Sequence, residues 1–588
     1  MISIIETETR SFRAFGWVQD PSDFRSLCNV VAVFDSNSAK HKELVKKIIP
    51  KLVLKKDGLD NLIMAMNSRP LKIKYNYLIG TSFTPRSTSH CNGIIQATVK
   101  GQSRDFIVDW PADNFVRWAH CLGFIKYDYS DDTFTITKTG LELTAAFEKT
   151  EELSEKEHKI LTNALLAYPP AVRVLVLLSE EDAHLTKFEI GKELGFIGEG
   201  GFGSMPQNTL IRTLSQIKDT KEKNKIKTDW EGASDKYARM IASWLIKLGL
   251  VQRVKKTVSV IVNSETYSEE IGQAYMITTK GHTAINRALG KSSHNLIKKN
   301  ICYEMLATKG KDREFLRKRR ALIVKQLIES KEPINTYEFQ KYLKEKDVNI
   351  SLEAIHDDII GLGRLGLDIS IEGNKYSCRD KINDFTIPLV SRIKESYIGQ
   401  KKEKIRKDIK HIPKDYLSLV DLAYDKEQNR LFEMKTLELL TEECGYIGTH
   451  LGGSRKPDGI IYTLALTNNY GVIIDTKAYS DGYNLPISQA DEMQRYIEEN
   501  QRRDEKENPN KWWSHFSNDI KLFYFMFVSG HFKGNYQEQI ERIATITKTK
   551  GTAVDVEKLL LTADNIKGKI CTLNCFEKEI FQKNNRNS

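Results

Sequence analysis

The residues best able to do chemistry lie in one stretch of the chain. Asp458 follows Pro457, and an apolar run from Gly471 to Ile474 ends in Asp475, Thr476 and Lys477. A short β-branched run bounded by turn residues reads as a buried strand, where residues two apart share a face, so Asp475 and Lys477 are predicted to point the same way. Two carboxylates converging beside a lysine suit Mg2+, a hard cation that prefers oxygen ligands and keeps several waters. Such an ion lowers the pKa of its water and stabilises charge on a phosphoryl oxygen, while the lysine orients the nucleophile. Phosphodiester hydrolysis is the expected reaction. Asp458, Asp475 and Lys477 would be catalytic, with Asp458, Asp475 and Thr476 holding the metal. By itself, the pattern also matches a surface turn followed by a strand-end ion pair.

These groups need a sheet to hold them. Helices are expected from Asp415 to Glu443, from Ser488 to Asn500 and through Ile546, with a further apolar strand from Leu522 to Val528. That alternation gives a mixed sheet flanked by helices. Glu433 could add a helical carboxylate to the metal site, although pairing with a lysine is the favoured reading. His450 and His531 are read as hydrogen-bonding or phosphate-contacting residues and not as general bases. Arg455 and Lys456, just before Pro457, are better placed to hold phosphate. Upstream, residues 385–400 read as a linker, followed by a charged, exposed helix that Pro413 ends.

The amino-terminal half repeats one unit. Trp118 precedes Leu122-Gly123 as Trp244 precedes Leu248-Gly249, and each copy runs on through a strand to Ile-Thr-x-x-Gly, ending at Gly140 and Gly281. A helix ending at glycine, a two-stranded wing and a further helix make the winged form of helix-turn-helix. A weaker third copy runs from Leu316 to Cys378, with helices from Arg319 and from Glu353, and a hairpin opened by Gly366. Units of this kind bind DNA or serve as docking surfaces. In the second copy Ser234 is the expected helix N-cap. Tyr237, Met240, Ile241, Trp244, Leu245 and Leu248 then form one buried stripe. Lys236 and Arg239 lie opposite it in the first turns, where a recognition helix reads base edges and where a solvated basic face would also be found.

Composition bounds the class. The chain has 588 residues, 40% hydrophobic and 28% charged, which fits several folded domains and excludes disordered or collagen-like classes. Its net charge of +11 favours an anionic partner. No apolar run reaches a membrane span and no signal peptide is visible, so no membrane partner is expected and a cytoplasmic location is. The eight cysteines are scattered without disulfide or zinc spacing and read as reduced.

The words around the candidate site carry more. HLGGSRKPDG, DTKAYS, GYNLPI, QADEMQRY and FVSGHFKGNY closely resemble the cleavage domain of FokI-like type IIS restriction endonucleases. The resemblance extends to FGWVQDP, RWAHCLGF, YPPAVRVLVLL and WEGASDKYARMI in the amino-terminal half. Departures are scattered throughout, as in a homologue. The resemblance implies DNA contacts by Gln19, Asp20, Arg86, Trp110, Glu231, Lys236 and Arg239. Asp20 and Thr228 stand where asparagine is expected; asparagine pairs with adenine whereas aspartate accepts from cytosine. These departures put a GGATG target in doubt. The third winged unit would pack on the nuclease, making Arg317 to Arg320 a protein-facing or solvated patch. Asp491 and Arg495 match a pair that crosses a two-fold nuclease interface, with Ile546 as an apolar neighbour.

The expected fold is therefore multidomain: α+β winged-helix recognition subdomains followed by an α/β PD-(D/E)xK nuclease with a mixed sheet flanked by helices. The expected ranges are 1–150, 151–295 and 296–384 for three recognition subdomains, 385–400 for the linker and 401–588 for the nuclease. The expected partners are double-stranded DNA and a second copy of the chain. A structure-specific or repair nuclease and an inactive DNA-binding regulator are the competing readings.

Overall fold

The Ile-Thr-x-x-Gly motif takes the same form in both of the clearer repeats. Thr137 and Thr278 cap the helices Lys138–Ala146 and Thr279–Ala288, each accepting a hydrogen bond from the glycine amide three residues on. A Cβ on Gly140 would lie 2.2 Å from the Phe124 carbonyl oxygen, and one on Gly281 2.1 Å from that of Leu250, so only glycine fits. Ahead of each wing, the helices Asp109–Cys121 and Ala238–Lys247 end at Gly123 and Gly249, both with positive φ. Their tryptophans, Trp118 and Trp244, are fully buried and stack on each other with ring centroids 5.0 Å apart. The repeat thus supplies both halves of a shared core.

The computed structural model describes residues 1–588 except 9–12, 20, 81–89, 148–151, 182, 201–204, 218, 234, 236, 263–264, 292–294, 309, 391–392, 465–468 and 583–588. The chain forms two compact units. One holds 1–196, 237–254 and 274–395, and the other holds 197–236, 255–273 and 396–588.

Each repeat carries one small three-stranded sheet. In the third, the helix Arg313–Glu329 begins before the expected Arg319, and Gly366 caps Leu352–Leu365 at φ 117° beside the hairpin Ile369–Glu372 and Lys375–Cys378. Arg317, Arg319 and Arg320 are buried, the protein-facing one of the two expectations, and Arg317 donates to the Ala307 and Arg13 carbonyls at 2.8 and 2.9 Å. Asp358 accepts from Arg319 and Arg320 at 2.6 and 2.8 Å, and the two guanidiniums hold its carboxyl below the usual range although burial opposes them.

Three further expectations are corrected. The helix Ala238–Lys247 is preceded by Tyr237 at φ 69°, so its N-cap is Tyr237; Ser234 lies outside the described residues. Part of the expected linker, Phe385–Val390, is a strand paired in parallel with Ile2–Thr7. The strand includes Pro388, whose missing donor a two-stranded edge tolerates. The charged helix Tyr397–Asp408 is also less exposed than its composition implies, because Lys402 is drawn in by Asp421 and the Gly198 carbonyl.

In the second unit a five-stranded mixed sheet runs Ile447–His450, Gly459–Tyr462, Tyr470–Lys477, Leu522–Ser529, Gly551–Asp555 in spatial order. The first three strands are antiparallel and the last three parallel. Ile460, Ile473, Phe525 and Phe527 pack against Ala490, Met493 and Ile497 of the helix Ile487–Arg502 and Ile540 and Ile543 of Tyr536–Thr547. Leu437, from the helix Asn429–Glu438, sits where a Cβ on Gly459 would come within 2.4 Å of it. Burying one such leucine contributes about 1.5–3 kcal/mol. Also in this unit, Arg212 and Asn208 bond Glu442 at 2.8 and 3.0 Å. Among the described residues no single helix is long and apolar enough to cross a membrane, and no cysteine forms a disulfide.

Candidate active site

Strand pairing brings the two aspartates together. Gly459 is opposite Ile474, and one further step of the same antiparallel register sets Asp458 opposite Asp475. The loop before the strand is pinned by its own backbone: the amides of Leu451 and Gly452 donate to the Asp458 carbonyl at 2.9 and 3.3 Å. Gly452 and Gly453 have positive φ, which lets the chain fold back there. The Asp458 carboxylate accepts from the Thr476 amide at 2.7 Å and its hydroxyl at 3.0 Å.

Asp475 and Lys477 share a face, as the period of two predicts, with Oδ2 and Nζ 2.8 Å apart. The Ser529 hydroxyl bonds the Lys477 carbonyl at 2.6 Å and fixes the strand end. Burial pushes the proton affinity of Asp458 up, and the Glu433 charge adds to it. Burial and the adjacent Asp458 raise Asp475 well above the ordinary carboxylate range. Lys477 is held above the usual lysine range because Asp475 and Asp458 outweigh its burial. Two partly desolvated carboxylates beside one ammonium favour an added cation.

Among the described residues no three His, Cys, Asp or Glu side chains gather to hold a metal ion. A two-carboxylate site still fits a hard cation that takes its remaining oxygens from backbone and water. Among the described residues Glu433 pairs with no lysine; its Oε2 lies 3.0 Å from His450 Nε2, and His450 is buried. Spacing could not reveal that pairing, since the two residues sit on a helix and a strand that meet only in the fold. His531 and Arg455 are exposed.

Of the expected DNA contacts, Asp20, Arg86 and Lys236 lie outside the described residues. Gln19 and Trp110 are joined through Asn114, which accepts from the Gln19 amide at 2.9 Å and donates to the Trp110 carbonyl at 3.0 Å. The Arg117 guanidinium sits 5.4 Å from the Trp110 ring centre. Tyr237, two residues before Arg239, stacks on Trp17 with ring centres 5.0 Å apart. Asn114 was not singled out by any motif, yet this buried side chain ties the Gln19 backbone to the helix that carries Trp110. In the other unit Glu231 accepts from the Gly272 amide at 2.8 Å and so braces the wing strand.

Asp491 and Arg495 do not pair with each other along their helix. Asp491 bonds Arg542 at 2.6 Å, whereas Arg495 lies 3.3 Å from Glu492 and 3.6 Å from Glu499. Ile546, on the neighbouring helix, is 49% exposed.

Comparison with known proteins agrees along the whole chain. Family models match in sequence order: the FokI recognition-domain subdomain 1 over residues 13–146, subdomain 2 over 157–293, the FokI D3 domain over 306–374 and the FokI cleavage domain over 395–586. The type II restriction enzyme FokI of Planomicrobium okeanokoites is 44% identical over 95% of this chain and 97% of its own length. The type II restriction enzyme StsI of Streptococcus sanguinis is 34% identical over 99% of this chain and 97% of its own. The solved structure of FokI bound to DNA matches with a TM-score of 0.89 at 43% identity, covering 97% of this chain and 99% of that one. A second structure of FokI matches with a TM-score of 0.87 at 44% identity, with the same coverage.

Proposed function

We infer the function from one premise: this chain belongs to the FokI family of type II restriction enzymes. It is a type IIS restriction endonuclease, a site-specific deoxyribonuclease that binds a short asymmetric duplex site and hydrolyses both strands at a fixed distance from it, leaving 5′-phosphate ends. Mg2+ is the proposed form of the divalent metal that the family implies. The cell's cytoplasm is the proposed place of action. The observation that carries the reading is the meeting of Asp458, Asp475 and Lys477 at the end of two adjacent strands.

Asp458 and Asp475 would hold the cation together with the Thr476 backbone carbonyl. When bound, such a cation lowers the pKa of water and neutralises charge developing on the phosphoryl group. Lys477 orients the attacking water and balances charge on the scissile phosphate. Asp458 stays aimed because Thr476 donates to it twice. Arg455 and Lys456 would steady a neighbouring phosphate. On the recognition side, Gln19, Asp20, Arg86, Trp110, Glu231, Lys236 and Arg239 are the proposed DNA contacts, and the joining of Gln19 to Trp110 through Asn114 supports a common surface for those two.

One chain carries one such centre, so cutting both strands favours two chains. Asp491 and Arg495, with Ile546 beside them, are the proposed two-fold contact, in which each Asp491 meets the other copy's Arg495. Incubation of plasmid DNA with and without Mg2+, followed by sequencing of the ends, tests the whole reading. Discrete ends at one offset from a common asymmetric sequence are expected. A smear of ends would point to a structure-specific nuclease, and no cleavage in Mg2+ would point to a DNA-binding regulator.

A further inference from the structure

Arg495 stands at the head of two polar bridges, one hydrogen-bonded throughout and one begun by a longer ion pair, that end on adjacent backbone carbonyls, Arg455 and Lys456, immediately before Pro457 and Asp458. In the first, Arg495 Nη2 is 3.3 Å from Glu492 Oε1, which also accepts from the Tyr496 hydroxyl at 2.9 Å, while that hydroxyl lies 2.8 Å from the Lys456 carbonyl oxygen. In the second, Arg495 Nε is 3.6 Å from Glu499, whose other oxygen accepts from Asn508 Nδ2 at 2.9 Å, and the same Nδ2 reaches the Arg455 carbonyl at 3.1 Å. Glu499, Asn508 and Tyr496 are all buried, and Trp512 donates to Glu499 at 2.8 Å and packs edge-on against the Tyr496 ring. Arg455 itself has φ 61°, a backbone state that a non-glycine residue keeps only where its surroundings fix it.

The Tyr496 hydroxyl carries one proton and faces two acceptors, so its hydrogen bond is divided between Glu492 and the Lys456 carbonyl. How it divides depends on how much of the Glu492 charge Arg495 satisfies. Glu492 also acts electrostatically on Lys477. Glu499 is buried with few ways to reach solvent, so any movement of Arg495 is felt along the second bridge too.

We propose that Tyr496, with Glu492 and the Glu499–Asn508 pair, positions the loop that delivers Asp458, and couples it to the two-copy contact through Arg495. The inference rests on the two-copy reading above. When Arg495 turns toward the partner's Asp491, its hold on Glu492 and Glu499 loosens, Tyr496 rebalances between its acceptors, and the Arg455–Pro457 backbone shifts with it. Pairing then sets the cleavage step itself as well as bringing two centres together.

The test uses the full-length protein on a duplex containing its site, with single-turnover cleavage measured at saturating enzyme and assembly on DNA measured by sedimentation with Ca2+ replacing Mg2+. Tyr496→Phe removes only the hydroxyl. The expected result is a cleavage rate lower by about ten- to a hundredfold, as for other groups that orient a metal ligand, with the enzyme concentration for half-maximal assembly unchanged. In an Arg495→Ala background the same substitution should cost little more, because the bridge has already lost its head. A wild-type saturated rate in Tyr496→Phe overturns the proposal. An equal loss in both backgrounds overturns the coupling and leaves Tyr496 as a local brace only. Should Tyr496→Phe melt early, Glu492→Gln gives the same reading from a half-exposed position. If Arg495→Ala leaves assembly on DNA untouched, the two-copy contact has failed and not the bridge.

Discussion

Asp458 and Asp475 lie one step beyond the Gly459–Ile474 pair of an antiparallel ladder, yet among the described residues it is Asp475 that has an ammonium within ion-pair distance, the Lys477 Nζ at 2.8 Å. Asp458 is instead satisfied by neutral donors, the amide and hydroxyl of Thr476. The pair therefore keeps excess negative charge in a largely desolvated place, which a divalent cation would relieve.

Lys477→Ala should lower the cleavage rate by about a hundred- to a thousandfold, the usual cost of removing a preorganised group that faces developing charge. Asp458→Ala and Asp475→Ala should remove cleavage altogether. Specific DNA binding, followed by gel shift, should survive in all three. Near wild-type cutting in either aspartate variant would strike out the catalytic assignment.

The amino-terminal unit has its own pH signature. Glu304 is buried, accepts from the Tyr129 hydroxyl at 3.0 Å, and burial raises it from 4.5 to about 7. Folded chains keep this proton in a range where unfolded chains have lost it, so the stability it supports is full below about pH 4.5 and is lost as pH rises through about 7. Over that window the change amounts to about 3 kcal/mol. Glu304→Gln keeps the acceptor without the charge. Urea denaturation across pH 4 to 8 should show the variant gaining on the wild type as pH rises; parallel curves would contradict the burial argument.

Much of this arrangement is legible in the residue order, because it depends on local rules. The period of two puts Asp475 and Lys477 on one face, and the repeated Thr-x-x-Gly is a capped helix start with a glycine that no Cβ could replace. Long-range pairings are the part that sequence does not carry. Nothing near Glu433 announces His450, nothing near Phe385–Val390 announces the strand at Ile2–Thr7, and nothing near Asp491 announces Arg542. The pairing of Arg319 and Arg320 with Asp358 is of the same kind, since Asp358 lies on a different helix. Recognition of the family came from whole words of sequence and not from any of these contacts.

Arg239 occupies the first turn of the helix Ala238–Lys247, next to the Trp17–Tyr237 stack. A side chain reading a base edge there discriminates by about 1–3 kcal/mol, whereas a phosphate contact weakens all sequences alike. Arg239→Ala should therefore lose more affinity for the target duplex than for a random one. Competition titrations at fixed salt give the ratio. Equal losses would assign Arg239 to the backbone.

The two-copy contact can be tested by exchanging charges. Asp491 and Arg495 each have a partner within the chain, Arg542 and the pair Glu492 and Glu499, so forming the contact exchanges existing ion pairs for new ones. Asp491 is 56% exposed and Arg495 42% exposed at the side chain, so both are reachable and both local pairs are weakened by solvent. In Asp491→Arg, the new cation meets Arg495 of the other copy and Arg542 of its own, and like charges across an interface oppose docking. Double-strand cutting should fall steeply while target binding holds. Mixing this variant with Arg495→Asp should restore cutting, because in each mixed pair both contacts then join an arginine to an aspartate and there is one centre per strand. Arg542→Ala serves as the control that breaks the local pair without placing like charges in the contact, and it should cut nearly as the wild type does. If Asp491→Arg alone cuts both strands with the wild-type dependence on enzyme concentration, the contact lies on another face or a single chain cuts the two strands in turn.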